Sequence, residues 1–318
     1  MENVDGDISA PHSWRLPDSK EQVFLLGWPK AGTSSLHLWL SRHPSIGTAA
    51  LKETFFFIDK EYPAYLRHGT SIYKDGIGTF LNYFPSETPI WLEGTTHHVY
   101  QKTALEYLTV NKERSRVILL LRDPASRIYS SFQSTRNNFA SASKDLSWEA
   151  YVEALMNNDM GSLSQYYFNK TSFESARRQL TNTDYCYWIE KWQGALGLDR
   201  VKIILFEDLR DDPKAVVESV FCWLKLDQER LDEADFPVAN KTLSIRYQSL
   251  HRVAKRFRNI VPKSIFRDAI RSAYLAFQAE AVANTDSSEA HDSLRTYFSP
   301  MVEKLERTQG LDLSKWKD

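Results

Sequence analysis

The chain has 318 residues, 42% of them hydrophobic, enough to bury a sizeable core. Its 40 Lys and Arg against 41 Asp and Glu leave a formal net charge of -1, which excludes a surface built to coat a polyanion, so nucleic acid is not an expected partner. No apolar run reaches a membrane span and the first twenty residues carry no signal-peptide stretch, so no membrane partner and a cytoplasmic location are expected. In that setting Cys186 and Cys222, each inside an apolar helix-like run, read as buried free thiols, and the sequons at Asn169 and Asn240 carry little weight.

Residues 1–19 are polar and read as a flexible segment before a single domain over 20–318. Residues 23–27 form an apolar strand, and an amphipathic helix follows over 33–42. A second strand over 90–93 precedes a helical pattern over 101–109. The third, 116–121, is a continuous Val/Ile/Leu run of the kind found in parallel strands covered on both faces. It leads into a helix opened by Asp123 as cap and Pro124 at the first position. A fourth strand over 201–206 precedes Pro213 and a helix to Leu226, and from about residue 243 the chain turns helical and basic. Strand alternating with helix predicts an α/β fold: a P-loop-like, doubly wound parallel sheet flanked by helices, with a helical C-terminal region. The stretches 54–87 and 135–171 read as long irregular loops of the kind that serve as lids or walls.

The most informative stretch is Gly27-Trp28-Pro29-Lys30-Ala31-Gly32-Thr33-Ser34-Ser35, set where the first strand gives way to a helix. Free amides at a helix start bind anions, glycine lets the backbone approach, and lysine and hydroxyls add charge and donors. The nucleotide-triphosphatase loop has Lys directly after its second Gly; here Thr33 stands there and the lysine is Lys30, inside the loop. Farther on, Arg122-Asp123-Pro124-Ala125-Ser126-Arg127-Ile128-Tyr129-Ser130 places Arg122 at the carboxyl end of a central strand, where doubly wound sheets bind ligands. An arginine fork with a hydroxyl makes a phosphate clamp, although Asp123 and Pro124 also serve as plain capping residues and Arg127 as a solvated one.

Together the two segments resemble the sulfotransferases that use 3'-phosphoadenosine 5'-phosphosulfate (PAPS), which carry P-K-x-G-T-T-x-L and R-D-P-x-x-R-x-x-S. Within that family the chain looks most like the heparan sulfate N-/O-sulfotransferase type, in a bacterial-style soluble form. Lys52-Glu53-Thr54-Phe55-Phe56-Phe57 resembles the segment holding that type's catalytic glutamate, Glu93-Gly94-Thr95-Thr96 its E-K-T-P segment, and Asn240-Lys241-Thr242 a later one. The resemblance implies PAPS as co-substrate, 3',5'-ADP as product and no metal. It implies that Lys30, Ala31, Gly32, Thr33 and Ser34 hold the 5'-phosphosulfate, with Lys30 steadying the leaving oxygen. Arg122 and Ser130 would hold the 3'-phosphate, and Glu53 would serve as general base. His97 and His98, at the rim after Glu93, are candidates for the substrate, a small-molecule or glycan acceptor. Phe55-Phe56-Phe57 and Tyr166-Tyr167-Phe168 either line an acceptor cleft or form local core, and Lys241 and Arg246 are candidates to close over the phosphates. The chain departs from the heparan sulfate type in lacking the lysine at Gly94 and the disulfide-closed late loop, and no Golgi anchor is expected, which moves the expected acceptor away from glycosaminoglycan. The rival readings are a P-loop small-molecule kinase and a non-catalytic nucleotide-binding regulatory module; the acceptor and the oligomeric state are left open.

Overall fold

The computed structural model describes residues 14–227, 236–237, 244–245, 279–280 and 288–317. In chain order the elements are β1 (Glu21–Gly27), α1 (Thr33–Leu40), β2 (Ile46–Thr48), α2 (Ile72–Leu81), β3 (Ile90–Glu93), α3 (Lys102–Val110) and β4 (Ser115–Leu121). Then come α4 (Pro124–Gln133), α5 (Trp148–Met156), α6 (Met160–Ser164), α7 (Lys170–Arg177), α8 (Gln179–Asn182) and α9 (Tyr185–Leu196). The described chain closes with β5 (Val201–Leu205), α10 (Phe206–Asp211), α11 (Pro213–Trp223), β6 (Ser244–Ile245), β7 (Ala279–Glu280) and α12 (Ser288–Gln309).

Two compact units result: Met1–Arg122 with Asn182–Asn240 and Met301–Asp318, and Asp123–Thr181 with Lys241–Pro300. The first holds a five-stranded sheet in the order β2-β3-β1-β4-β5, every neighbouring pair parallel. Alternate residues of its central strands face two separate cores. Phe24, Leu26, Val117, Leu119 and Leu121 pack with Tyr107 of α3 and with Ile189 and Trp192 of α9. Val23, Leu25, Ile118 and Leu120 pack with Leu36 and Leu40 of α1 and with Val217, Val220 and Phe221 of α11. Burial on both faces is why β4 reads as an unbroken apolar run, whereas a one-sided strand would alternate with polar residues. From β1 the chain runs to β2 at the edge of one side and returns to β3 next to β1, and β4 and β5 lie on the other side. The carboxyl ends of β1 and β4 therefore flank the point where the winding reverses, the place at which such sheets open a ligand crevice.

In the second unit the Asp123 carboxylate accepts from the Ser126 amide (2.8 Å) and Pro124 stands in the first turn, so α4 begins as its sequence predicts. Phe132, Trp148 and Tyr151 stack in its interior. Arg127 is buried there and donates through Nη2 to Gln179 Oε1 (3.0 Å), which corrects its reading as a solvated residue.

The short β2 and the helix α9 extend what the sequence predicts, and α2 and α5 to α7 occupy much of the two stretches read as irregular. Cys186 is buried on α9, but Cys222 is exposed on α11, because it lies off the face carrying Val217, Val220 and Phe221. Lys241, Arg246 and the basic stretch around them lie outside the described residues. Among the described residues no helix is long and apolar enough to cross a membrane.

Candidate functional site

The β1-to-α1 loop has the backbone conformation its sequence implies. Gly27 has φ 136°, and a Cβ there would lie 2.9 Å from the Leu120 amide nitrogen and 3.0 Å from its carbonyl oxygen, so only glycine fits against β4. Lys30 has φ 78°, an uncommon left-handed position for a residue with a side chain. Ala31 N donates to the Trp28 carbonyl (3.1 Å), closing the turn. Gly32, at φ 91°, caps α1 with no side-chain hydrogen bond, leaving first-turn amides for a ligand. The indole of Trp28 is fully buried under the loop, edge-on to Tyr185 at 4.4 Å, and donates to the Asn182 carbonyl.

Arg122 reaches this loop directly. Its Nη1 donates to the Lys30 carbonyl (3.0 Å), its guanidinium lies 4.5 Å over the Phe206 ring, and its own carbonyl accepts from Tyr185 Oη (2.8 Å). Burial, and then the charge of Arg122, push the Lys30 ammonium below its ordinary pKa. Among the described residues Lys30 pairs with no carboxylate. Two cations held together with free amides nearby suit a multiply charged anion, whose charge offsets both causes of that shift. Ser130 lies on α4 in the second unit, half-buried.

Glu53 stands on the segment that follows β2, and its position is set by its neighbours. The Glu93 carboxylate, 1% exposed at the end of β3, accepts from the Thr54 amide (3.2 Å) and Thr54 Oγ1 (2.9 Å). It also accepts from the Thr95 amide (2.8 Å), Thr95 Oγ1 (2.5 Å) and His98 Nδ1 (3.1 Å). Thr95 Oγ1 in turn accepts from the Phe55 amide (3.1 Å) and His98 Nε2 from the Phe57 amide (3.3 Å). One buried carboxylate thus holds Thr54 directly, Phe55 through Thr95 and Phe57 through His98, with Phe55 at a left-handed φ of 54°. Burial pushes the Glu93 carboxyl up, but His98 and the Thr95 donors outweigh it and hold it at about 2.

This arrangement separates the two histidines. His98 is fully buried with both ring nitrogens engaged, so it braces the segment and is not available to an acceptor; that expectation is corrected. His97 is only partly buried, bonds Tyr62 Oη through Nδ1 (3.0 Å), and is held neutral at about 4 by burial, against the opposing charge of Glu53. Phe55, Phe56 and Phe57 are core residues, 1% exposed or less. Of the other tract, Tyr166 and Tyr167 are half-buried and Phe168 is exposed in the second unit.

Because Glu93 folds with a depressed pKa, its contribution to stability is complete above about 4.5, the ordinary value, and is lost as pH falls toward about 2. Glu93→Gln is expected to cost roughly 1–3 kcal/mol, since the buried donors around it lose a charged acceptor. It should also flatten the acid limb of a pH-dependent melting series over that window. An unchanged acid limb would show that Glu93 is protonated alike in both states.

Two residues near Glu53 escaped the sequence reading. Lys52 Nζ donates to Thr33 Oγ1 (3.3 Å) and to Glu53 Oε1 (3.3 Å). His37 is buried, its Nε2 has no hydrogen-bond partner, and it is held at about 4 by burial and by the charge of Lys52. The signal for His37 was its place four residues after Thr33, one turn along the same face of α1.

The sulfotransferase domain profile matches residues 20–255 of the chain. Among curated proteins, the bifunctional heparan sulfate N-deacetylase/N-sulfotransferase 1 of Caenorhabditis briggsae is 22% identical over 216 residues, covering 66% of this chain and 23% of that protein. The bifunctional heparan sulfate N-deacetylase/N-sulfotransferase 3 of Homo sapiens is 25% identical over 213 residues, covering 65% and 22%. The chain therefore spans less than a quarter of the length of these relatives. Among solved structures, a sulfotransferase from Alicyclobacillus acidocaldarius superposes with a TM-score of 0.62 at 18% identity, covering 94% of this chain and 99% of that one, a likeness of fold.

Proposed function

The chain belongs to the sulfotransferase domain family, and on that premise we propose that it transfers a sulfuryl group from PAPS to a hydroxyl or amine of a small-molecule or carbohydrate acceptor. The observation that carries this reading is the hydrogen bond from Arg122 to the Lys30 carbonyl, which brings the two phosphate-type segments together at the ends of neighbouring strands. Amides from Gly32 to Ser34, with the Thr33 and Ser34 hydroxyls, hold the 5'-phosphate, on a turn that the Ala31 amide closes through the Trp28 carbonyl. Arg122 holds the 3'-phosphate, and the R-D-P-x-x-R-x-x-S pattern assigns Ser130 to the same group.

Sulfuryl transfer resembles phosphoryl transfer, so the protein's work is positioning and charge stabilisation. The acceptor's oxygen or nitrogen bonds to sulfur as the sulfur–oxygen bond to the 5'-phosphate breaks. The bridging oxygen keeps that bond's electron pair, and 3',5'-ADP leaves. Lys30 neutralises charge growing on the bridging oxygen, and Glu53 receives the proton the acceptor gives up. His97, neutral beside Tyr62 and near the charge of Glu53, is our candidate for contact with the acceptor.

Thermal stabilisation by 3',5'-ADP, and little by ATP with Mg2+, is the expected result; the reverse would favour the small-molecule kinase reading. Incubating metabolite and glycan extracts with labelled PAPS then identifies the acceptor, and absence of turnover with every acceptor would leave the regulatory module. For the 3'-phosphate, Arg122→Ala is expected to weaken 3',5'-ADP by about 1.5–3 kcal/mol, the worth of a charge-assisted clamp, with a much smaller effect on 5'-AMP. Equal losses for both nucleotides in calorimetry would remove Arg122 from that phosphate.

A further inference from the structure

Lys52 is placed by a steric fit at Gly94, the position where the resembled segment carries a lysine. The Gly94 amide donates to the Lys52 carbonyl (3.1 Å), so the two backbones run against each other. A Cβ at 94 would lie 2.9 Å from Lys52 Cγ, 3.0 Å from the Lys52 carbonyl oxygen and 2.8 Å from His37 Cδ2. The space over Gly94 is thus filled by the stem of Lys52 and the edge of His37. Passing through that space, Lys52 presents its ammonium at 3.3 Å from Thr33 Oγ1 and 3.3 Å from Glu53 Oε1. It therefore bridges the first turn of the anion-binding helix and the candidate base. No side chain other than hydrogen would leave that route open at 94.

We propose that Lys52 is the sulfuryl-binding cation of this enzyme, contacting the non-bridging oxygens of the group in transfer, and that Gly94 exists to let it reach them. The proposal rests on the sulfotransferase reading above and adds a residue to its site. A group passing from the phosphate held by the Thr33 turn to an acceptor deprotonated by Glu53 must cross the interval that Lys52 spans. While Glu53 is charged, the ammonium is shared with it. When Glu53 takes the acceptor's proton, that pairing is lost and the whole charge of Lys52 turns to the sulfuryl oxygens. His37, held neutral beside it, adds no competing charge. Throughout the transfer Lys52 exchanges no proton and forms no covalent bond.

The test compares two ligands that differ only in the sulfuryl group. Lys52→Met keeps most of the stem and removes the charge. It is expected to raise the Kd of PAPS about tenfold, the low end for losing a charge-assisted contact at a partly exposed group, and to leave 3',5'-ADP within about twofold. Gly94→Ala keeps Lys52 but crowds its stem, and is expected to reproduce the same selective loss. Lys52→Arg should retain most PAPS affinity, and melting of each variant in the presence of 3',5'-ADP verifies folding. Unchanged PAPS affinity in Lys52→Met would make Lys52 only a partner of Glu53. Equal loss of both ligands would make it a brace for Thr33; either result overturns the proposal. Failure of the wild-type chain to bind 3',5'-ADP at all would instead overturn the sulfotransferase reading beneath it.

Discussion

Lys30→Ala is expected to lower the turnover of sulfuryl transfer at least about a hundredfold, the loss typical of removing one transition-state donor and equal to about 2.7 kcal/mol. The geometry makes this substitution unusually clean. Alanine keeps a Cβ at the same left-handed φ of 78°, so the backbone strain is the same before and after. The hydrogen bond from Arg122 ends on the Lys30 carbonyl and survives the loss of the side chain. Affinity for 3',5'-ADP should therefore fall much less than turnover, because the loop amides and Arg122 remain. Normal turnover at saturating PAPS would mean that another cation serves the leaving oxygen.

Glu53→Gln is expected to reduce sulfation of a hydroxyl acceptor by roughly 10²- to 10⁴-fold, the contribution of a positioned general base. The amide keeps the shape of the side chain and an oxygen able to accept from Lys52. The backbone of the segment is held by Glu93 through Thr54 and by Thr95 through Phe55, not by Glu53 itself, so folding should be unaffected. Binding of 3',5'-ADP should stay near wild type. With an amine acceptor already neutral at the assay pH, the loss is smaller and shrinks further as pH rises. Full activity of the variant at every pH would sink the assignment. His97, an imidazole held neutral beside Tyr62, is then the next base to replace.

The phosphate loop was legible because its constraints are local: a strand, glycines where the backbone must touch β4 or turn left-handed, and a helix start, all within nine residues. β3 and β4 were legible because burial on both faces leaves an unbroken apolar run. β2 was not, since three residues carry no period. The Glu93 network was only half visible. A glutamate at the end of an apolar strand is conspicuous, but its bonds to Thr54 cross from one segment to another about forty residues away, and no spacing encodes that. The same holds for Lys52, whose bond to Thr33 and fit against Gly94 cross between segments that lie far apart in the chain. The separate fates of His97 and His98 likewise depend on which way each ring turns out of one short 3₁₀ turn.

Tyr185 joins the far end of the described chain to the base of the phosphate loop. It packs against Trp28 on one side and Trp316 on the other (6.0 Å), while its hydroxyl holds the Arg122 carbonyl. β1, which leads into that loop, pairs with β3 and β4, strands that follow it by roughly 60 to 90 residues. A ribosome adding about 5–20 residues per second needs several seconds to supply the later of them. Leu313 and Trp316, which complete the same core, emerge later still. During synthesis the apolar face of β1 thus waits for a partner encoded almost three hundred codons downstream, and Tyr185 for the same residue, Trp316, well over a hundred codons after its own. A reading frame cut short before Trp316 would release every candidate phosphate-binding residue of the first unit while leaving the floor beneath them open to water.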